Sequence, residues 1–277
     1  MKSSSMTNIG RAVAVTMALT GLLHAGIASA TEAAGTAAAA SAALPADDQG
    51  LSLIVTYQTT PANRPLLQRE LAQSTARELA QWKHDGRLTR YNLLFNRYAD
   101  SGNWDAMAVL TFATPDDLYR WRKVEETHPG ALSAKALAVT TSIRTAPVDL
   151  RRSNVAASDA APGSVYVAIP YKTEVSASDY RKYADAYVIP QFKGWMDEGV
   201  LAGYSIYMSQ FPAAREWDVI AILQYKSETA LSDREAIVSR VRERLKSNPE
   251  WKAISDSKQR VRAEGQVVVA DPVVAGR

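Results

Sequence analysis

The sequence contains no cysteine in its 277 residues, and this absence excludes several kinds of site. Neither a disulfide framework nor a thiolate nucleophile is available, and no lipid can be attached at an N-terminal cysteine. A chain of this length can still fold around an ordinary hydrophobic core. The absence is therefore compatible with folding in an oxidising compartment.

Histidine is almost as scarce, with only His24, His84 and His128 in the chain. A structural zinc site uses about four Cys or His ligands. His84 lies near the end of a predicted helix and His128 precedes Pro129, so both are interpreted as surface or capping residues. We expect no metal site and no cofactor, although a hard cation held by carboxylates remains an alternative.

Signature motifs of catalysis and phosphate binding are also missing. The sequence has no G-x-S-x-G turn, no G-x-G-x-x-G and no P-loop. Its basic segments RVRERLK (240–246) and KQRVR (258–262) have acidic residues nearby and no accompanying aromatic stacking motif. They are typical of solvated helix faces, so we expect no nucleic-acid partner.

The N-terminus has the pattern of a secretory signal peptide over 1–30. Lys2 and Arg11 precede the uncharged run 12–27, and Ala28-Ser29-Ala30 forms an A-x-A cleavage site. The run is short for a membrane span of about 20 residues, which disfavours a transmembrane anchor. Cleavage after Ala30 lowers Lys+Arg from 32 to 30 against 29 acidic residues, leaving a net charge of +1. The sequence therefore predicts a periplasmic or secreted protein with no membrane span after cleavage.

Two low-complexity stretches divide the rest of the chain. Residues 31–50 form an Ala-rich segment that buries too little apolar surface to offset its ordering entropy, and we expect a disordered spacer. Residues 151–164 are small and polar and are interpreted as a linker. These boundaries leave two units, 51–150 and 165–274, each of a common domain size.

The two units resemble each other in sequence. NWDAMAVL (103–110) and EWDVIAIL (216–223) place two Trp-Asp pairs 217 − 104 = 113 positions apart, and 82–118 aligns with 195–231 at that offset without a gap. The shared signature comprises Trp82, Gly86, Tyr91, Trp104 and Asp105 with Trp195, Gly199, Tyr204, Trp217 and Asp218. This agreement indicates a tandem duplication.

Hydrophobic periodicity gives each unit the same element order. A β-branched run precedes a helical pattern, and Gly86 or Gly199 follows where a helix end favours a left-handed residue. Two strand-like runs, a second helical region and a short final strand complete the order β-α-β-β-α-β. The predicted fold class is α+β, with two tandem ferredoxin-like repeats whose antiparallel sheets pack face to face as an α+β barrel.

This pattern resembles a known superfamily. The segments YVIPQFKGWMDEGVL, GYSIYMSQF and EWDVIAILQY are similar to the dimeric α+β barrel proteins, especially the NIPSNAP-like and stress-responsive types. The resemblance covers about 50–274 and implies a barrel with a ligand pocket between the sheets. Such barrels usually close by dimerisation, and a tandem copy offers closure within one chain as the alternative. Its members include cofactor-free monooxygenases, isomerases, cyclases and haem-dependent enzymes, so it does not select one activity. Haem-binding relatives generally use a histidine, and the second unit has none.

Candidate ligand-binding residues come from strand alternation. One face of the strand after each glycine carries Tyr91, Leu93 and Phe95, or Tyr204, Ile206 and Met208, and should meet the helices. The other face mixes amides, hydroxyls and aromatics, which suits either a pocket or a polar interface. Its candidates are Asn92, Asn96, Tyr98, Ser205, Tyr207 and Ser209. Tyr57 and Tyr171, which end the first strands of the two units at matching positions, are weaker candidates.

The catalytic residues, if any, remain unknown. Asp105 and Asp218 beside bulky tryptophans are possible general bases, but their presence in both units favours a scaffold role. An exported protein that binds a small apolar or aromatic ligand is the first hypothesis. A cofactor-free enzyme acting on such a compound and a structural or partner-binding envelope protein are the alternatives, as a monomer or a homodimer.

Overall fold

A computed structural model describes residues 51–155, 163–213 and 215–275. The predicted signal peptide (1–30) and the spacer (31–50) lie outside these residues, as do 156–162 of the predicted linker. Residues 151–155 do not form a linker, because they complete a long strand that pairs with the second repeat. We refer below to 51–155 as the first repeat and to 163–275 as the second.

The first repeat has the predicted element order. Its elements are β1 (Leu51–Thr59), α1 (Arg64–Glu70), a π-helical turn (Leu71–Thr75), α2 (Ala76–His84), β2 (Leu88–Asn96), β3 (Ala106–Phe112), α3 (Pro115–Thr127), α4 (Ala134–Val139) and β4 (Thr140–Val155). Single 3₁₀ turns at Pro61–Asn63 and Pro129–Ala131 connect them.

The second repeat follows the same order with a longer second helical region. Its elements are β5 (Val165–Thr173), α5 (Ala177–Tyr183), a π-helical turn (Ala184–Val188), α6 (Ile189–Asp197), β6 (Leu201–Ser209), β7 (Val219–Tyr225), α7 (Glu228–Ser232), α8 (Arg234–Leu245), α9 (Pro249–Ser257), β8 (Arg262–Glu264) and β9 (Val268–Pro272). A 3₁₀ turn at Lys258–Arg260 precedes β8. Together, β8 and β9 take the place that β4 has in the first repeat.

The two sheets join edge to edge into a closed antiparallel barrel. The first repeat contributes four strands in the ferredoxin-like order β4-β1-β3-β2. The second contributes the matching order β9-β5-β7-β6, and its short β8 pairs with the end of β5. The end of β4 pairs with β6 through Val148↔Ser209 to Val155↔Gly203, and β9 pairs with β2 through Leu94↔Pro272 to Asn96↔Ala270. The last strand of each repeat therefore closes the sheet of the other, and the barrel forms within a single chain.

Local sequence sets the ends of the helices. Thr114 and Ser227 lie at matching N-cap positions, and their hydroxyls accept hydrogen bonds from the N–H groups of Asp117 and Ala230. The helices before β2 and β6 are followed by Gly86 and Gly199, whose φ angles of 72° and 83° are left-handed. A side chain at either position would be strained there, so the prediction for these glycines is confirmed.

Three clusters of buried apolar side chains occupy the two helix-covered faces and the barrel interior. Leu93 and Phe95 pack with the helices of the first repeat, and Tyr204 and Ile206 pack with those of the second. The interior cluster includes Ile54, Leu94, Val148, Tyr166, Tyr207 and Ile222. The predicted division of strand faces is therefore confirmed, because alternate residues of each strand point to opposite sides.

Candidate functional site

One end of the barrel contains a cavity of about 490 Å³. Its walls come from the last residues of β1 and β5 and the first residues of β3, β4 and β7, and from the loops between β2 and β3, β6 and β7, and β8 and β9. Among the described residues at the opposite end, a hollow of about 20 Å³ lies beside Asn92, Tyr166 and Ser205. The two ends therefore differ in free volume, and we call them the mouth and the closed end of the barrel.

The apolar part of the cavity is built from matching positions in the two repeats. Trp104 and Trp217, the tryptophans of the two Trp-Asp pairs, both line it, as do Met107 and Ile220 at equivalent positions of β3 and β7. Further apolar wall residues are Ile54, Ala146, Ala168, Pro170 and Val268. Indole rings and aliphatic side chains give the cavity a surface that favours aromatic or apolar molecules.

The polar part of the cavity lies where the repeats differ. Gly102 and Asn103 of the β2–β3 loop correspond to Arg215 and Glu216 of the β6–β7 loop at the offset of 113 positions, and all four line the cavity. Thr56, Gln58, Ser142, Arg144 and Gln266 complete its polar lining. The apolar residues of the cavity therefore occupy equivalent positions in the two repeats, whereas its polar residues differ between them.

The β2–β3 and β6–β7 loops at the mouth are each held by hydrogen bonds or an ion pair to the other repeat. In the β6–β7 loop, Glu216 pairs with Arg144 of β4 at 2.8 Å, and Arg215 Nη2 donates to the Thr145 carbonyl at 3.4 Å. In the β2–β3 loop, Asp100 accepts a hydrogen bond from Gln266, which lies between β8 and β9. Both loops are thus positioned by the strands that close the barrel.

Asp105 and Asp218 hold the ends of β1 and β5. Asp105 Oδ2 accepts from the Thr59 N–H at 2.7 Å and Oδ1 pairs with Arg64, while Asp218 Oδ2 accepts from the Thr173 N–H at 2.9 Å. Burial raises the pKa of Asp218, but the hydrogen bond from Thr173 and the ion pair with Lys172 outweigh burial, so this pKa lies below its usual range. These contacts fit the scaffold interpretation and leave Asp218 a poor proton acceptor.

The predicted ligand-binding residues do not line the cavity. Asn92 and Ser205 border the small hollow at the closed end, and Tyr207 is buried in the interior cluster. Asn96 bonds within its own turn, because its Nδ2 donates to the Trp104 carbonyl at 3.1 Å and its Oδ1 accepts from the Tyr98 N–H.

Two further predicted residues lie near the ends of β2 and β6. The Tyr98 side chain is 66% exposed on the surface. The buried Oγ of Ser209 has no hydrogen-bond partner among residues 51–155, 163–213 and 215–275.

Tyr57 and Tyr171 point toward the helices instead of the cavity. The Tyr57 hydroxyl donates to the Gly130 carbonyl at 2.7 Å, and the Arg262 guanidinium lies 3.8 Å from the centre of the Tyr171 ring. Burial raises the pKa of both hydroxyls above the usual range. Neither tyrosine can act on a molecule in the mouth cavity from this position.

The remaining signature aromatics belong to the helix-facing cores. Trp82 packs edge-on against Trp121, with ring centres 5.3 Å apart, and Trp195 packs against Phe192 at 5.2 Å. Tyr91 contacts the first of these cores and Tyr204 lies within the second.

Both histidines in the described part of the chain, His84 and His128, are exposed and lie away from the cavity. Within the described ranges, no group of three His, Asp or Glu residues is placed to hold a metal ion. The helices of the same ranges include none that is long and apolar enough to cross a membrane.

The sequence contained one indication of the polar cavity residues that strand alternation did not predict. The Gly102-Asn103 and Arg215-Glu216 pairs immediately precede the aligned tryptophans and are among the positions where the repeats diverge. Since residues present in both units favour a scaffold role, pairs that differ between the units were detectable as candidates for a site. Their location at the open end depends on how the barrel closes, which strand alternation alone does not give.

Comparisons with known proteins show the fold. No protein-family model and no curated protein sequence matches the chain. A solved structure of a proposed monooxygenase from Lactobacillus acidophilus NCFM is 13% identical, with a TM-score of 0.53 over 82% of this chain and 95% of that one. A proposed monooxygenase from Fusobacterium nucleatum subsp. nucleatum is 8% identical, with a TM-score of 0.51 over 82% and 93%.

An anthrone oxidase-like protein is 15% identical, with a TM-score of 0.50 over 84% of this chain and 95% of that one. At these identities the similarity shows the fold alone. The chain thus has an α+β barrel fold similar to that of these solved structures.

Proposed function

We propose that the protein binds one small aromatic or apolar molecule in the mouth cavity. The observation that carries this proposal is an open cavity of about 490 Å³ lined by Trp104 and Trp217 inside an otherwise filled barrel. Ligand pockets typically measure about 300–1,000 Å³ and combine apolar walls with a few orienting polar groups. Gln58, Asn103 and Ser142 supply such polar groups at the rim.

A cofactor-free enzyme acting on such a molecule is the second candidate, because the similar structures include proposed monooxygenases and an anthrone oxidase-like protein. The titratable side chains that line the cavity are Arg144, Arg215 and Glu216, and Glu216 is paired with Arg144. This lining supplies no carboxylate shielded from water that would act as a general base at neutral pH, so binding is favoured.

The enzyme alternative is tested with anthrone and molecular oxygen, which give anthraquinone and water when one O₂ is consumed per anthrone. Oxygen uptake and quinone formation above the rate without protein would establish it. Loss of that excess in a variant with a blocked cavity would place the reaction there.

A purely structural or partner-binding envelope protein is the third candidate. It predicts an interior packed shut at both ends, whereas only one end is filled. We therefore rank it below the other two.

The proposal extends to origin, assembly and location. We propose a tandem duplication of a NIPSNAP-like or stress-responsive unit, supported by the offset of 113 between Trp104 and Trp217. Because both pairs of sheet edges are satisfied within the chain, a monomer is favoured over a homodimer.

Export with cleavage after Ala30, and the division into spacer, linker and two units, rest on sequence patterns. Intact mass and native mass of protein from the periplasmic fraction test the cleavage site and the monomer.

The binding proposal is tested by titration with N-phenyl-1-naphthylamine, a neutral aromatic probe whose fluorescence rises in apolar surroundings. Ala168 is buried in the cavity wall, so Ala168→Phe places an aromatic ring in the space that the probe needs. Asn92→Ala is the control, because Asn92 lies beside the hollow at the closed end.

We expect saturable binding to the wild type and to Asn92→Ala, and loss of binding in Ala168→Phe with its thermal unfolding retained. Equal binding by Ala168→Phe would show that the probe binds elsewhere and would contradict the proposal.

A further inference from the structure

The charges at the cavity mouth are unevenly distributed. Three charged side chains line the cavity, and two of them, Arg144 and Glu216, form an ion pair at 2.8 Å. The third, Arg215, donates from Nε to the Phe211 carbonyl at 3.1 Å and from Nη2 to the Thr145 carbonyl at 3.4 Å. Within residues 51–155, 163–213 and 215–275 its side chain has no carboxylate partner.

The Arg215 side chain is also well placed to meet a ligand. It is half-buried, and the two backbone carbonyls orient its guanidinium while Nη1 makes no hydrogen bond within the described residues. An arginine presents five donors in a fixed fork, so the free edge remains available for an anionic group. Partial burial makes such a contact stronger than it would be in open solvent.

The corresponding position of the first repeat carries no charge, because it is Gly102. The nearest carboxylate of that loop, Asp100, does not line the cavity and is already occupied. It accepts hydrogen bonds from the Gly102 N–H at 2.9 Å, from Asn103 and from Gln266. Among the described lining residues, Arg215 is therefore the one cation without a carboxylate partner, and it lies on one side of the mouth above apolar walls.

We infer that the ligand of this cavity is an aromatic acid, anionic at neutral pH, whose acidic group binds Arg215 and whose ring packs against Trp104 or Trp217. This inference rests on the proposed binding function and specifies its ligand class. A neutral aromatic would leave the guanidinium edge without a partner, whereas a carboxylate or sulfonate provides a charge-assisted hydrogen bond.

The test compares two probes that share one scaffold. N-phenyl-1-naphthylamine is neutral, and 1-anilinonaphthalene-8-sulfonate carries the same rings with an added anionic group. Dissociation constants for both are measured with the wild type, Arg215→Gln, Arg90→Gln and Ala168→Phe. Arg90 is half-buried beside the hollow at the closed end, so its substitution makes the same change in net charge away from the cavity.

We expect Arg215→Gln to weaken binding of the sulfonate about tenfold, the effect of losing one charge-assisted hydrogen bond at a half-exposed site, and to change neutral-probe binding less than about twofold. Arg90→Gln should leave both constants unchanged, and Ala168→Phe should abolish both. Added salt should weaken sulfonate binding in the wild type more than in Arg215→Gln.

The outcomes separate the two proposals. If the neutral probe binds and is blocked by Ala168→Phe, but Arg215→Gln affects both probes equally or neither, the cavity binds aromatics and the acidic ligand class is wrong. The same conclusion follows if Arg90→Gln weakens the sulfonate as much as Arg215→Gln does. If neither probe binds the wild type, or Ala168→Phe binds both, the binding function itself is contradicted.

Discussion

The ion pair between Arg152 of β4 and Asp185 ties the first repeat to a helix of the second. Arg152 Nε and Nη2 donate to the two carboxylate oxygens of Asp185, both at 2.7 Å, and the side chains are only 10% and 17% exposed. A register shift between Leu150 and Arg152 makes this contact possible. The shift pairs Arg152 with Ile206, whose side chain faces the helices, while Leu150 remains in the barrel interior.

Replacing Arg152 with alanine should destabilise the fold by about 3 kcal/mol. Removal of one partner of a buried pair costs about 3–5 kcal/mol, because the other charge is left uncompensated, and we take the lower end since Asp185 retains some exposure to water. Urea unfolding at neutral pH measures the change in the free energy of unfolding. Arg144→Ala, which breaks the exposed pair with Glu216, should cost less than about 1 kcal/mol under the same conditions.

A double variant tests the reasoning behind this magnitude. With Arg152→Leu and Asp185→Leu combined, no charge is left unpaired, so the loss should be smaller than that of Arg152→Ala. A loss below about 1 kcal/mol for Arg152→Ala, or additive effects of the two single substitutions, would refute the argument that an uncompensated carboxylate sets the cost.

Two further predictions concern backbone strain and alkaline pH. Gly86→Ala and Gly199→Ala should each lower the free energy of unfolding by about 1 kcal/mol, since both positions are left-handed, and Gly102→Ala, which is not left-handed, should not lower it by a similar amount. Burial raises the pKa of Tyr204 from 10.0 to about 12, so its stabilising contribution is complete below pH 10 and is lost as pH rises toward 12. Urea unfolding at a series of pH values should show a decline above pH 10 that is shallower in Tyr204→Phe, and an identical decline would contradict this assignment.

The element order and the strand faces were predictable because they depend on local patterns. Apolar residues alternate along β2 and β6, and Gly86 and Gly199 mark the helix ends, so the sequence alone placed Leu93 toward the helices and Leu94 on the opposite face. The structure shows that this opposite face lies inside the barrel. The Trp-Asp pairs also identified two related units with matching hairpins.

The position of the site was not predictable, because it depends on long-range pairing. The barrel closes through the pairing of β4 with β6 and of β9 with β2, between residues far apart in the sequence. The side of the sheet on which Arg152 lies is set by the register shift between Leu150 and Arg152. The residues around Arg152 in the sequence are polar, so the hydrophobic pattern gives no sign of this shift. Arg144 of β4 and Arg262 of β8 both lie in the final strand region of their repeats, yet Arg144 pairs with Glu216 at the mouth and Arg262 covers the Tyr171 ring.

Closure of the barrel within one chain has a consequence for the stereochemistry of binding. In a symmetric homodimer, a cavity on the two-fold axis presents every side chain twice, so an unsymmetrical ligand binds in two equivalent orientations. Here the residues before Trp104 and Trp217 differ, Gly102-Asn103 on one side and Arg215-Glu216 on the other. For a ligand bound as proposed, the two orientations would therefore differ in energy, and the cavity would distinguish one end of that ligand from the other.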